Sequence, residues 1–160
     1  MLLDIKERMQ AVLQAEANAI LSVEVNDSFE RAVTTMMACK GKIVTTGIGK
    51  AGYLAQKFAA TLCSTATPAV FIHPAEAAHG DLGLVSTNDV MLAFSTSGKS
   101  NEVIEILELS RHLGVETIIG VTSHPESDLR NLSDFVLDMG VIEEPCPLGL
   151  TPSLDTLNFL

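Results

Sequence analysis

The chain has 160 residues, 47% of them hydrophobic and 19% charged, which suits one domain with a buried core. Its formal net charge of −10 argues against a nucleic-acid binder, although a small anionic ligand needs only a local positive potential. Because no apolar run reaches about 18 residues and the first residues carry mixed charges, we expect a soluble, cytoplasmic protein without a membrane span or signal peptide.

Two helices are predicted before the first strand. Apolar residues recur at three- and four-residue steps from Met1 to about Val23, as in an amphipathic helix. Asn26 can cap a second helix. The predicted apolar face of this second helix consists of Phe29, Ala32, Val33 and Met36. Together the two helices form an N-terminal region, residues 1–39, of a single domain.

From Lys42 onward, short apolar runs alternate with segments of helical periodicity. The runs cover residues 42–47, 69–73, 89–95, 116–122 and 134–139. The helical segments lie near residues 50–64, 100–113 and 126–132. This order predicts an α/β fold for residues 42–140, with a parallel sheet, right-handed crossovers and helices on both sides. Ligands of such sheets bind beyond the carboxyl ends of the strands. The loops of interest therefore begin at Gly47, His73, Ser95, Thr122 and Gly140.

The first loop, TTGIGKAG at residues 45–52, satisfies the pattern G-x-G-x-x-G. Gly47 and Gly49 would let backbone N–H groups approach an anion closely. A dinucleotide site would also need an acidic residue at the end of the next strand, where the sequence has His73 and Pro74, so we reject that interpretation. Lys50 is either a solvated lysine or a cation placed against an anionic or carbonyl-bearing ligand, and this loop alone leaves both open.

The second loop, HPAEAAHGDLGLV at residues 73–85, is rich in ionisable side chains. It contains His73, Glu76, His79 and Asp81. Glu76 and His79 have a spacing of three, which places both on one face of a helix. Zinc binding and structural histidines are two interpretations, but no H-E-x-x-H is present and no third zinc ligand is obvious. The sequence favours a third one, an active-site wall in which His79 transfers protons near neutral pH.

The third loop is STSG, residues 95–98, followed by a helix that starts at Ser100 or Asn101. Hydroxyls and free helix N–H groups together suit a phosphate, so we expect a dianion to bind here. The alternative is a well-capped helix with no ligand. Glu102 lies in the first turn, where it would repel phosphate unless it points toward the reacting carbons of a substrate.

The fourth loop, EEPCPLGLTPS at residues 143–153, holds two adjacent carboxylates before a rigid Pro-Cys-Pro segment. A carboxylate on a stiff loop at a strand end can act as a general base, although such pairs are also often only solvated. Ser153 can cap the start of a final helix over residues 152–160.

GIGKAG, HPAEAAHGDLG, STSGKSNE and EEPCPLGLTP, in this order and spacing, resemble the sugar isomerase (SIS) domain family. More narrowly, they resemble its arabinose 5-phosphate isomerase branch, over essentially the whole chain. The resemblance implies a three-layer α/β/α sandwich with a five-stranded parallel sheet. It also implies interconversion of ribulose 5-phosphate and arabinose 5-phosphate, which feeds synthesis of the eight-carbon acid sugar of lipopolysaccharide or capsule.

The resemblance further implies roles for individual residues. Its catalytic residues correspond to Lys50, Glu102, Glu144 and His79. A glutamate would move a proton between C1 and C2 through an enediol, and Lys50 would stabilise the enediolate oxygen; which glutamate is the base stays open. No metal or organic cofactor is required. The substrate- and phosphate-binding residues correspond to Gly49, Ser64, Thr65, Ser95, Thr96, Ser97, Gly98 and Ser100.

The sequence also departs from the family. Lys99 stands where the family usually has Glu or Gly, and the segment after Pro-Leu-Gly-Leu is poorer in hydroxyls. A further active-site histidine and two regulatory CBS domains of the family would lie beyond Leu160, so this chain is expected to be a fragment. Two alternatives stay open: a regulatory module that binds a sugar phosphate without turnover, and an SIS isomerase for another phosphosugar. The apolar face of the first helix, and the dimers or tetramers that members of the family commonly form, predict a homodimer or homotetramer.

Overall fold

The computed structural model describes residues 4–140, and its first two helices begin at capping side chains. Helix α1 covers Ile5–Leu21, and the carboxylate of Asp4 accepts hydrogen bonds from two N–H groups of its first turn. Helix α2 covers Asp27–Ala38, and Asn26 Oδ1 accepts from Ser28 N–H at 2.9 Å. The two predicted helices and the predicted cap at Asn26 are therefore confirmed within the described residues.

Five short strands form one sheet in which each pairing is parallel. The strands are β1 (Ile43–Gly47), β2 (Ala69–Ile72), β3 (Val90–Phe94), β4 (Thr117–Thr122) and β5 (Phe135–Asp138). Their order across the sheet is β2-β1-β3-β4-β5. The five predicted strands are confirmed, because the first and last residues of each apolar run agree with those of a strand to within one or two residues. The predicted parallel pairing is confirmed as well.

Helices connect the strands and cover both faces of the sheet. They are α3 (Gly49–Ser64), α4 (Pro74–Ala77), a 3₁₀ helix (Asp81–Leu84), α5 (Asn101–His112) and α6 (Asp128–Leu132). Alternate residues of a strand face opposite sides. Thus Ile43 packs in a cluster with α2 and α3, and its neighbour Val44 packs in a second cluster with α5 and α6. The result is the expected three-layer α/β/α sandwich.

The two N-terminal helices leave much of their apolar surface exposed, as the sequence predicts for α1 but not for α2. In α2, Ala32 is buried and Val33 is 52% exposed, so the predicted apolar face is wrong at Val33. Its position, one residue past Ala32, rotates it about 100° away from the core. In α1, Ala19 is the one buried residue within its span, whereas Met9 and Leu13 are 61% and 64% exposed.

Some predictions fall outside the described residues. These are the start of α1 at residues 1–3, the carboxylates Glu143 and Glu144, Ser153, and the final helix at 152–160. Within residues 4–140, no helix has the length and the apolar character needed to cross a bilayer.

The register of the sheet brings three of the loops of interest to one level. Gly47 of β1 pairs with Phe94 of β3, and Phe94 pairs with Val121 of β4. The connection after β1 leads to one side of the sheet and the connection after β3 leads to the other. The crevice beyond the carboxyl ends of β1 and β3 is therefore the switch point, where open α/β sheets bind ligands.

Candidate functional site

A cleft of about 430 Å³ lies beyond the carboxyl ends of β1, β3 and β4. It is lined by Ile48, Lys50, Ala51, Ser95, Thr96, Ser97, Ser100 and His124. Three separate connections thus contribute to one site, and the contributing side chains are mainly hydroxyls and two basic groups. The structure brings together the predicted residues Lys50, Ser95, Thr96, Ser97 and Ser100.

The loop after β3 is held in shape by the hydroxyl of Ser95. Ser95 Oγ accepts a hydrogen bond from Gly98 N–H at 3.1 Å and lies 3.2 Å from Ser100 Oγ. Gly98 adopts a left-handed φ of 63°, which side chains rarely tolerate. Ser95 is buried, whereas Ser97 is exposed, and Ser97 Oγ accepts from Lys99 N–H at 3.3 Å. Ser97 therefore offers its hydroxyl to the cleft more openly than Ser95 does.

The two long helices that begin at the cleft lack side-chain caps. Ser100 occupies the cap position of α5 but makes no capping hydrogen bond, since its hydroxyl lies against Ser95. Ile48, at the cap position of α3, cannot make one. By contrast, Asp4 and Asn26 cap α1 and α2, which begin elsewhere. The first N–H groups of α3 and α5 are thus left for an anion, and the alternative of a merely well-capped helix does not describe α5.

Lys50 is the second residue of α3 and is exposed at the edge of the cleft. A cation in the first turn opposes the positive end of the helix dipole. Among residues 4–140, ion pairs join Lys42 to Asp89 and Arg111 to Asp134, and Lys50 has no such partner. Its ammonium group adds positive charge to a site that already presents free N–H groups.

Glu102 and His79 lie near the same edge of the sheet without lining the cleft. Glu102 is exposed in the first turn of α5. His79 is exposed in the connection after β2, beyond the end of α4 at Ala77. The prediction that Glu76 and His79 share a helical face is therefore wrong, because α4 ends before His79. No cluster of three or more potential metal ligands occurs in the part of the chain that the structure describes.

Ser64 and Thr65 are not brought to the cleft within the chain. Gly49 begins α3 at the cleft and Ser64 ends it, so the 16 residues of α3 place these two ends about 22 Å apart. Both hydroxyls bind carbonyls of the last helical turns: Ser64 Oγ donates to Ala60 and Thr65 Oγ1 to Leu62. The structure thus corrects their assignment to the ligand site, because α3 carries the chain back to the amino edge of the sheet.

His124 lines the cleft, although no motif in the sequence singles it out. It follows β4, two residues after Thr122, the last residue of that strand. Its ring Nδ1 lies 3.0 Å from the carbonyl oxygen of Thr96 in the neighbouring loop. The available signal was its position two residues past a strand end, where its side chain has a short path to the switch point.

A second cleft, of about 230 Å³, lies on the other side of the loop after β1 and is lined in part by Gly49, Tyr53, Gln56 and His73. His73 Nδ1 accepts from Ala75 N–H at 3.3 Å and so caps α4. The structural interpretation of His73 is thereby supported.

Comparisons with known proteins find relatives of similar sequence. The chain is 42% identical over 156 residues to arabinose 5-phosphate isomerase KdsD of Pseudomonas aeruginosa, covering 96% of this chain and 48% of that protein. It is 43% identical over 144 residues to KdsD of Escherichia coli K12, covering 90% and 44%. The chain thus spans about half the length of the curated relatives it matches.

Solved structures share the fold. A Bacteroides fragilis protein has 42% identity and a TM-score of 0.93, over 97% of this chain and 83% of that chain. An Escherichia coli CFT073 protein in complex with arabinose 5-phosphate has 33% identity and a TM-score of 0.90, over 98% and 84%. The profile of the SIS domain family matches residues 36–157. With its parallel sheet, its switch-point cleft and these matches, the chain belongs to the SIS domain family.

Proposed function

We propose that this protein is a sugar-phosphate aldose–ketose isomerase that interconverts ribulose 5-phosphate and arabinose 5-phosphate. One observation carries the proposal: the uncapped amino ends of α3 and α5 meet at one cleft beside Lys50. The curated relatives that bear the name arabinose 5-phosphate isomerase support this choice of substrate.

The phosphate of the substrate would occupy the hydroxyl-lined part of the cleft. Ser97 and the first N–H groups of α5 can donate hydrogen bonds to it, and the positive ends of two helix dipoles favour its charge. Thr96 and Gly98 shape the same loop, and Gly49 gives α3 its start. Binding at this end of the substrate would orient the reacting carbons rather than take part in the chemistry.

Isomerisation moves a proton between C1 and C2 through an enediol and needs a base and a cation near the carbonyl oxygen. Lys50, which lines the cleft, would stabilise the oxyanion. Glu102 is proposed as one carboxylate of the site, and its first-turn position would let it swing toward a bound sugar. Glu144 and His79 are proposed as further active-site groups, although Glu144 lies outside the described residues. No metal or organic cofactor enters this mechanism.

A coupled assay with ribulose 5-phosphate tests the proposal directly. The 160-residue chain and the full-length protein should both be assayed as purified, beside the variants Lys50→Ala and Lys57→Ala. Removing one donor to a developing oxyanion costs on the order of 10²–10³ in rate, so Lys50→Ala should lose most turnover. Lys57→Ala, at an exposed lysine two turns further along α3, should leave turnover unchanged.

Two results would point to the open alternatives. Tight binding of arabinose 5-phosphate by the full-length protein without any turnover would indicate a regulatory module. Turnover of another phosphosugar in preference would indicate a different isomerase of the family. Lys50→Ala with the parent rate would remove the role assigned to Lys50.

A homodimer or homotetramer is the proposed assembly. Helix α1 leaves Ile5, Met9 and Leu13 exposed at 71%, 61% and 64%. Their spacing of four places them on one stripe of α1, and contiguous exposed apolar surface of this kind usually marks an interface. The proposed setting is the cytoplasm, where the product would supply synthesis of the eight-carbon acid sugar of lipopolysaccharide or capsule.

A further inference from the structure

The ring of His124 is held in a fixed position on the wall of the cleft. Its backbone N–H donates to Thr122 Oγ1 at 3.1 Å, and its ring Nδ1 lies 3.0 Å from the carbonyl oxygen of Thr96. The same carbonyl accepts from Ser123 N–H at 3.1 Å and from Thr122 Oγ1 at 2.9 Å. Three donors from the end of β4 and the loop after it thus hold the loop after β3, and His124 supplies one of them.

This contact determines which ring nitrogen can serve a ligand. A carbonyl oxygen only accepts, so Nδ1 of His124 must carry a proton to bond with Thr96. The other nitrogen, Nε2, is then a bare acceptor in the neutral ring and a donor in the imidazolium. The side chain is exposed and lines the cleft beside Lys50 and Ser97. Nε2 is consequently the ring nitrogen of His124 that is left for an anion in the cleft.

The charges around His124 have both signs. Lys50 at the start of α3 and Lys99 in the loop before α5 are the cations of the neighbouring segments. Glu102 lies in the first turn of α5. Glu126 and Asp128 follow His124 in its own connection, and none of these five groups forms an ion pair within residues 4–140. Among residues 4–140, no carboxylate therefore forms an ion pair with His124 before an anion arrives.

We infer that His124 binds the phosphate of the substrate, donating from Nε2 as an imidazolium, so that binding of a phosphate monoester dianion takes up a proton. The inference rests on the proposed function for the identity of the sugar phosphate, but the chemistry it requires is only that of a phosphate dianion. Histidine changes its charge between about pH 5 and pH 8. A neutral ring would present a lone pair to the dianion, and an imidazolium would present a donor. Affinity should thus fall as the pH rises through this interval.

The experiment compares His124→Gln with a matched control, His112→Gln. Glutamine carries an uncharged amide donor at the position of Nε2 but cannot become charged, so the variant removes the imidazolium and leaves a neutral donor toward the cleft. His112 is also exposed, and its Nδ1 lies 2.8 Å from the carbonyl of Glu108, but it ends α5 at the opposite edge of the sheet. Each protein is titrated calorimetrically with sulfate, a tetrahedral oxyanion that stays a dianion across this interval, and with arabinose 5-phosphate, at about pH 6.5 and about pH 8, on either side of much of the histidine titration.

For the native chain and His112→Gln, affinity for both ligands should be about three- to tenfold higher near the lower pH than near the higher one. His124→Gln should bind about three- to tenfold more weakly at the lower pH and should lose most of that pH dependence. Proton uptake, read from titrations in buffers of different ionisation enthalpy, should disappear in the same variant. A merely structural role would weaken binding equally at both pH values.

The outcomes separate this inference from the proposed function. If sulfate shows the His124-dependent pH effect while arabinose 5-phosphate is not isomerised, the inference stands and the isomerase proposal fails. If the sugar phosphate is bound and isomerised with the same pH dependence of affinity in His124→Gln as in the native chain, the inference is overturned and the isomerase proposal stands. Binding of neither anion by the native chain would overturn both.

Discussion

Gly98 is the position at which one methyl group should disturb the candidate site most. Its φ of 63° lies in the left-handed region. A Cβ atom built there would overlap Ser127 Oγ, lie 2.5 Å from Ser127 Cβ and lie 3.3 Å from Thr122 Oγ1. Gly98→Ala therefore combines a backbone penalty with a steric one, since the loop after β3 rests directly on the start of α6.

The magnitude follows from these two contributions. A left-handed conformation costs an L-residue roughly 1–2 kcal/mol, and forcing extra atoms into a packed site costs roughly 1–3 kcal/mol. Gly98→Ala should thus lower the free energy of unfolding by about 2–5 kcal/mol, out of about 5–15 kcal/mol for a typical domain. Gly49→Ala separates the contributions, because Gly49 has a φ of 61° with nothing within 4 Å of the added atom. Gly49→Ala should therefore lower the free energy of unfolding only by the backbone contribution, about 1–2 kcal/mol.

The assay is urea unfolding followed by circular dichroism, with Ser127→Gly as a rescuing change. Ser127 Oγ is buried without a hydrogen-bond partner among the described residues, and Ser127 makes no capping bond to α6. Glycine at a cap position costs only a few tenths of a kcal/mol. The double variant Gly98→Ala/Ser127→Gly should therefore recover the steric part of the loss. Equal losses in Gly98→Ala and Gly49→Ala, or no recovery in the double variant, would refute the packing argument.

Three further predictions concern binding, pH and assembly. Ser97→Ala should weaken binding of arabinose 5-phosphate by about 1–3 kcal/mol, the cost of a lost hydrogen bond to a charged group. Glu102→Gln should instead lower turnover while affinity for the sugar phosphate holds or improves, because the change removes a negative charge beside a dianion. Equal affinity losses in Ser97→Ala and Glu102→Gln, measured by calorimetry, would contradict these separate roles in binding and turnover. Burial alone would raise the pKa of Asp89, but hydrogen bonds from Lys42 and a nearby serine outweigh it and hold this pKa below its ordinary value of 3.8. The stabilisation from ionised Asp89 is thus present above its ordinary pKa of 3.8 and is lost as the pH falls through the lowered pKa. Asp89→Asn should therefore be less stable than the native chain at neutral pH, and this difference in the free energy of unfolding should shrink in acid. A difference that is unchanged in acid would argue against the stabilising role of Asp89. Leu13→Glu should shift the oligomer toward monomer in light scattering at micromolar concentration, and a native chain that is already monomeric would count against the α1 interface.

Local patterns were sufficient for most of the fold. The apolar runs and their helical spacers follow from periodicities of about two to four residues, and each is visible within a short window of sequence. The position of the site followed from topology, since a parallel sheet gathers its loops at the carboxyl edge. Lys50 and the STSG loop were therefore found at the cleft without knowledge of any contact.

Predictions were wrong where a residue's position depended on the direction in which its helix runs or on where the core of the protein meets solvent. The family resemblance implies that Ser64 and Thr65 bind the ligand, but α3 carries them about 22 Å from the cleft. Val33 fits an apolar pattern, yet the core ends at Ala32 on that side of α2. Periodicity tells which residues share a face and not how wide the buried strip will be.

The sequence by itself determined the order of strands and helices along the chain, the small residues in the loops and the resemblance to the SIS domain family. Only the tertiary structure decided that Ser100 faces Ser95 and leaves α5 uncapped, that Ser127 lies under Gly98, and that His124 reaches Thr96. The last two contacts join residues of different connections, and all three distances depend on the strand register and on the packing of α5 and α6 against the sheet. A hydrogen bond forms or fails within a few tenths of an ångström, and that precision comes from the packed core rather than from any local pattern.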